Sequence, residues 1–116
     1  KKNKKDLIPI KIGNLILDKQ GTDIKVFDVR ELTSLTEFFI VCTSDSAPKT
    51  KAITEYIKEE LKKHNITPWH IEGLKKMDWV LMDYVDVVVN IFNPKMRKYY
   101  NIERLWSDAL ITDIVE

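Results

Sequence analysis

Asp83 and Asp86 flank a short polar break between two apolar runs, and Glu72 and Asp78 lie close by in sequence. Two carboxylates on a strand can hold a divalent metal for phosphoryl or nucleotidyl transfer. Such a centre also needs a grip on phosphate. Gly13, Gly21 and Gly73 are the only glycines and are widely separated, so no glycine-rich cradle exists. Thr43-Ser44 would have to supply the grip without one. The plainer reading is that Asp83 and Asp86 end strands and hydrogen-bond the turn backbone, and it is the one preferred. Metal ligation has little to build on. His64 and His70 fall on different elements, Cys42 is alone, and neither an HExxH nor a CxxC pattern is present, so no metal site is expected. Cys42 cannot make an internal disulfide and reads as a small core side chain.

Aromatic residues offer a different chemistry. Trp69, Trp79, Tyr84, Tyr99, Tyr100 and Trp106 all lie in the last half of the chain. Trp and Tyr, with Arg, carry most of the energy of protein interfaces. Their plainer assignment is core, which suits Trp69 and Tyr99. Trp79 is the best candidate anchor because of the strand that carries it. Val80 to Met82 and Val87 to Phe92 are short apolar runs separated by Asp83 to Asp86. They read as buried strands of an antiparallel hairpin, the break being too short for a crossover helix. If Val80 and Met82 point into the core, Trp79, Leu81 and Asp83 share the opposite face.

The other elements follow in order. Leu7 to Gln20 has helical spacing at Ile8, Ile12, Leu15 and Ile16, with Pro9 in the first turn and Gly21 as the stop. Ile24 to Val29 is a first strand, Arg30 to Leu35 a loop, and Thr36 to Thr43 a strand covered on both faces. A polar turn, Thr43 to Ser46, leads through Pro48 into a helix reaching about His64, with Ile53, Ile57 and Leu61 on one stripe and Asn65 as its C-cap. Pro68 to Gly73 is a short strand near an edge. Pro94 starts a helix bearing Met96, Tyr99 and Tyr100, and Asn101 caps a final short helix with Ile102, Leu105 and Trp106. This order gives a single α/β domain, a mixed sheet with packed helices. Residues 1–6 read as a basic, frayed start, 7–109 as the domain, and 110–116 as a docked tail.

The chain has 116 residues, enough for one core. With 19 basic and 18 acidic side chains the net charge is +1, which does not suggest a protein held to nucleic acid by bulk charge. Two local basic clusters, Lys1 to Lys5 and Lys95 to Lys98, read as solvated surface. No apolar run is long enough to span a bilayer, and Pro9, Lys11 and Asn14 interrupt any signal-peptide pattern. The first residue is not Met, which leaves a trimmed start open.

A set of segments resembles the ribosomal silencing factors, the Iojap family. They are Asp28-Val29-Arg30, Thr36-Glu37-Phe38-Phe39-Ile40-Val41-Cys42, Pro68-Trp69-His70-Ile71-Glu72-Gly73, Trp79-Val80-Leu81-Met82-Asp83-Tyr84, Asp86-Val87-Val88-Val89, and Arg97 through Ala109. The resemblance implies a nucleotidyltransferase-like fold without that activity, no cofactor, and binding to the large ribosomal subunit through its protein number fourteen. That contact would block joining of the small subunit and repress translation. It implies little direct RNA contact and no membrane, with room for a homodimer off the ribosome. Organelle members act in large-subunit assembly. The implied contact residues are Trp79, Asp83, Tyr84, Arg97 and Tyr100, with Leu81 added by strand parity. The chain departs from the family at Glu37, where Asp is usual, at Val85, where Gly is common, and at Asn90, where His is common. Without Gly, the hairpin turn is not expected to use positive φ at Val85. The pattern around Met82 to Val85 leans to a bacterial cytoplasmic protein, the alternative being a mitochondrial matrix or plastid stroma. Two rival functions stay open: a divergent nucleotidyltransferase using Asp83 and Asp86, and an RNA-binding assembly factor using the basic termini.

Overall fold

The chain opens on α1 (Lys4–Asp18), which lays Ile12, Leu15 and Ile16 against a sheet. The computed structural model describes residues 4–116, with side chains from Leu7 onward. The first residues of the basic start therefore lie outside the described part. Pro9 falls inside α1 and not in its first turn. The chain turns after α1 where the Gly21 amide donates back to the Ile16 carbonyl.

Six strands follow: β1 (Thr22–Asp28), β2 (Phe38–Thr43), β3 (His70–Glu72), β4 (Trp79–Asp83), β5 (Val87–Phe92) and β6 (Leu110–Ile114). Between β2 and β3 runs α2 (Ala47–Lys62), and α3 (Pro94–Tyr100) follows β5. One 3₁₀ turn (Ile102–Trp106) leads from α3 towards β6. The sheet order is β3-β4-β5-β2-β1-β6, and only β2 and β5 run parallel. The single parallel pair is reached through α2 and the β3-β4 excursion, as parallel strands need a long crossover.

Ser46 caps α2, its hydroxyl accepting from the Lys49 amide, and Pro48 sits in the first turn. Ile53, Ile57 and Leu61 bury one stripe of α2. With α1 they cover one face of the sheet, over Ile24, Val26, Phe38, Ile40, Cys42, Val80, Met82, Val87, Val89 and Ile91. The opposite face holds a smaller core of Phe27, Val29, Phe39, Val41 and Phe92, roofed by Met96, Ile102, Trp106 and Ala109. The roof reaches the start of β4, where Tyr100 meets Trp79, and leaves Leu81 and Asp83 beyond it on an open groove.

Several expectations need correction. Residues 110–116, expected as a docked tail, include a strand not assigned from the sequence: β6 pairs antiparallel with β1 along its whole length. Its signal is weak in sequence because an edge strand with one partner leaves most of its side chains exposed. The cap of α2 is Lys63, and Asn65 makes the left-handed turn beyond it at φ +61°. Asn101 makes no side-chain cap to the 3₁₀ turn; it closes α3 in the left-handed region at φ +44°. Trp69 and Tyr99 are not core but 75% and 76% exposed. Val85 does adopt positive φ, +73°, although it is β-branched.

Candidate functional site

Parity places Trp79, Leu81 and Asp83 on the face away from α1 and α2, while Val80 and Met82 are fully buried beneath them. The register then fixes their neighbours. On one side Leu81 and Asp83 stand opposite Glu72 and His70 of β3. On the other, Trp79, Leu81 and Asp83 stand opposite Phe92, Asn90 and Val88 of β5. Of these, Asn90 and Phe92 are fully buried, while Leu81, Asp83, Val88, His70 and Glu72 line an open groove of about 570 Å3 together with Leu35, Phe39, Trp69 and Trp106. Its floor is apolar, and Asp83, His70 and Glu72 supply a polar rim. His70 Nε2 lies 3.0 Å from Glu72 Oε2.

Trp79 sits where the open groove meets the roofed core and is half-buried. Its ring stacks on Phe92 at 4.9 Å and meets Tyr100 at 4.7 Å. The indole N–H donates to Asn90 Oδ1 at 3.0 Å. Tyr100 in turn packs edge-on against Tyr99 at 5.0 Å. α3 holds Tyr100 there because Asn93 caps its start, accepting from the Met96 amide. Gly73 supports Trp79 from behind. At φ +89°, its backbone passes so close that an added Cβ would lie 1.9 Å from the Trp79 carbonyl oxygen, a position only glycine can occupy.

Two expected contact residues lie elsewhere. Tyr84 packs into the helix-covered core, and its hydroxyl is buried without a hydrogen-bond partner. Burial pushes that hydroxyl's pKa up to about 12. It follows Met82 by two residues, so the parity that exposes Asp83 turns Tyr84 inward. Arg97 is the second correction. Its side chain is 8% exposed, with Nε 2.9 Å from Glu103 Oε1 and Nη1 bonded to the Asp23 carbonyl and the Thr43 hydroxyl. It ties α3 and the 3₁₀ turn to the ends of β1 and β2. The hydrogen bond from Arg97 holds the Glu103 carboxyl below the usual glutamate range. Trp79, Leu81, Asp83 and Tyr100 remain near the open face. The open groove also takes in Trp69, Val88 and Trp106, none of them among the expected contacts, with Asn90 buried beneath Trp79. Extending hairpin parity from β4 across to β5 gives Val88 and Asn90; Trp69 and Trp106 depend on how distant segments fold over the groove.

The carboxylates are not arranged for phosphoryl chemistry. Asp83 Oδ1 accepts from the Val85 amide at 2.7 Å, the strand-ending role expected of it. Thr43, whose loop would have to hold phosphate, pairs with Phe92, whereas Asp83 pairs with Val88. The two stand at opposite ends of β5, roughly 13 Å apart at a strand's rise per residue. Among the described residues, no three His, Cys, Asp or Glu side chains converge to hold a metal. Cys42 is fully buried, and burial raises its thiol pKa to about 12.

The geometry defines a mixed α/β domain with one helix-covered face and one partly roofed face that leaves an apolar, aromatic-edged groove open. Comparison with known proteins gives the family. The family described as "Ribosomal silencing factor during starvation" matches residues 3–116, and the chain belongs to it. The ribosomal silencing factor RsfS of Bacillus subtilis is 35% identical over 97 residues, spanning 84% of this chain and 82% of the relative. A crystal structure of a Chromobacterium violaceum protein superposes with a TM-score of 0.86 at 33% identity, covering 98% of this chain and 95% of that one. The mouse protein named "Mitochondrial assembly of ribosomal large subunit protein 1" is 27% identical over 97 residues, spanning 81% of this chain but 42% of its own length.

Proposed function

We propose that this protein docks its open sheet face on the large ribosomal subunit, through the subunit's protein number fourteen, and so keeps the small subunit from joining. Translation is repressed without any chemical step. The observation that carries this reading is the open groove around Leu81, Val88 and Trp69, bordered by Trp79, apolar at its floor and polar at its rim, which has the composition of a protein interface. The split of Asp83 from the Thr43 loop supports a non-enzymatic role. A net charge of +1 supports a contact mainly with protein, not RNA. The bacterial relatives support action in the bacterial cytoplasm. Off the ribosome the same apolar face suits a second copy, giving a homodimer that subunit binding would replace.

The test is direct. The protein is mixed with purified subunits and followed through a sucrose gradient, and joined ribosomes are counted as it is added. Co-sedimentation with the large subunit and fewer joined ribosomes are expected. Migration with the small subunit alone would overturn the proposal. The name of the mouse relative favours a second reading, a role in large-subunit assembly. In that case the protein would accumulate on immature large subunits and leave joining of mature ones unchanged.

A further inference from the structure

A fully buried asparagine stands in the middle of a central strand whose other residues are Val, Ile and Phe. Asn90 is 0% exposed, and a buried amide is costly unless its groups are hydrogen-bonded. Its bonds go in two directions. Nδ2 donates to the Ile40 carbonyl of β2 at 3.4 Å, and Oδ1 accepts the Trp79 indole N–H at 3.0 Å. The first bond is long and the second is good. Asn90 faces Leu81 across the hairpin, so Trp79 reaches it diagonally, one pair away. The Phe92 and Tyr100 rings bound the faces of the Trp79 indole. The Asn90 bond adds a directional polar contact at its N–H edge.

We propose that Asn90 is a positioning residue for partner binding: it fixes the Trp79 ring in its docking orientation without touching the partner. This rests on the reading of the open face as the docking surface. A ring held in its bound orientation loses less freedom on association, so the bond acts on affinity more than on the fold.

The test is a double-mutant cycle on large-subunit binding with Asn90→Leu and Trp79→Phe. Phenylalanine keeps the stack but has no N–H. Asn90→Leu is expected to weaken binding about fivefold, the worth of one hydrogen bond. Its melting temperature should fall only modestly: the half-buried Trp79 N–H loses its acceptor, while an apolar side chain removes the cost of the buried amide. In the Trp79→Phe background the same change should cost nothing further. An equal loss in both backgrounds would show that Asn90 acts through the fold, and the inference would fall. If Trp79→Ala weakens binding but Asn90→Leu does not, the inference falls while the docking face stands. If neither moves binding, the docking face itself falls. The wild-type protein offers a check independent of any variant. The three indole N–H signals are resolved by NMR, and Trp79's is assigned by its loss in Trp79→Phe. Slow solvent exchange at that proton supports the bond to Asn90, and exchange as fast as at the exposed Trp69 overturns it.

Discussion

At the scale of the residue, Trp79 is neither a core side chain nor a free anchor. Half of its ring belongs to the stack with Phe92 and Tyr100. Trp79→Ala should therefore weaken large-subunit binding by at least about 2 kcal/mol, roughly thirtyfold, as a hot spot does. It should cost about 1–2 kcal/mol of stability, less than the loss at a fully buried aromatic. Parallel thermal unfolding and subunit binding separate the two; a large stability loss with unchanged binding would return Trp79 to the core. Arg97 predicts the reverse pattern. Arg97→Ala leaves the partly buried Glu103 without its cation and removes the bonds that hold the ends of β1 and β2, and about 2 kcal/mol of stability should be lost in denaturant titrations. Glu103 adds a pH dependence whose sign is fixed. Its carboxyl pKa is lower folded than unfolded, because Arg97 bonds the charged form. That stabilisation is present above the ordinary glutamate range and is lost as pH falls through the lowered folded value. Glu103→Gln should accordingly flatten the acid limb of the stability curve. Neither role could be read from the Arg97-Lys98-Tyr99-Tyr100 motif alone. Two of the partners of Arg97, Asp23 and Thr43, lie 74 and 54 residues away in sequence, and short-range patterning carries no information on contacts at that distance.

At the scale of the element, the β4-β5 hairpin was the most legible part. Strict alternation at Trp79 to Asp83 fixed both faces, because a strand's period of two admits no other arrangement once Val80 and Met82 are buried. Its turn was less legible. Val85 takes φ +73°, a conformation costly for a β-branched side chain. Asp83 Oδ1 and the short Asp86 amide to Tyr84 carbonyl bond hold it there. Val85→Gly should raise stability by about 1 kcal/mol, the relief of strain exceeding glycine's added chain entropy. An unchanged or lower melting temperature would mean that Val85 makes packing contacts that outweigh the strain. Gly73→Ala should act oppositely, losing about 2–3 kcal/mol because the new methyl meets the Trp79 carbonyl at positive φ. β6 was not legible. Leu110 to Asp113 are all exposed and only Ile114 is buried, so the hydrophobic pattern that identifies strands is missing. Hydrogen bonds from β1 create this strand.

At the scale of the whole molecule, the asymmetry between faces sets the behaviour towards partners. Helices fully cover one face, and the other is half-roofed, with Trp69, Leu81 and Val88 in the open part. With near-zero net charge, large-subunit binding should depend only modestly on salt. A steep loss between low and physiological salt would instead signal phosphate contacts with RNA. The sheet's outer edge has a further consequence. Lys25 of β1 and Asp113 of β6 form an ion pair 2.6 Å long across 88 residues of chain, and β6 is the last of the described elements to be synthesised. Until it emerges from the exit tunnel, β1 is an unpaired edge and the space beside Gly13, which Ile114 fills, stays empty. Nascent chains arrested before β6 emerges should be degraded readily by added protease, and those arrested after it should resist. Protection appearing earlier would show that five strands suffice. If the order holds, a copy that stops short of β6 is cleared before its open groove could serve as the proposed docking surface.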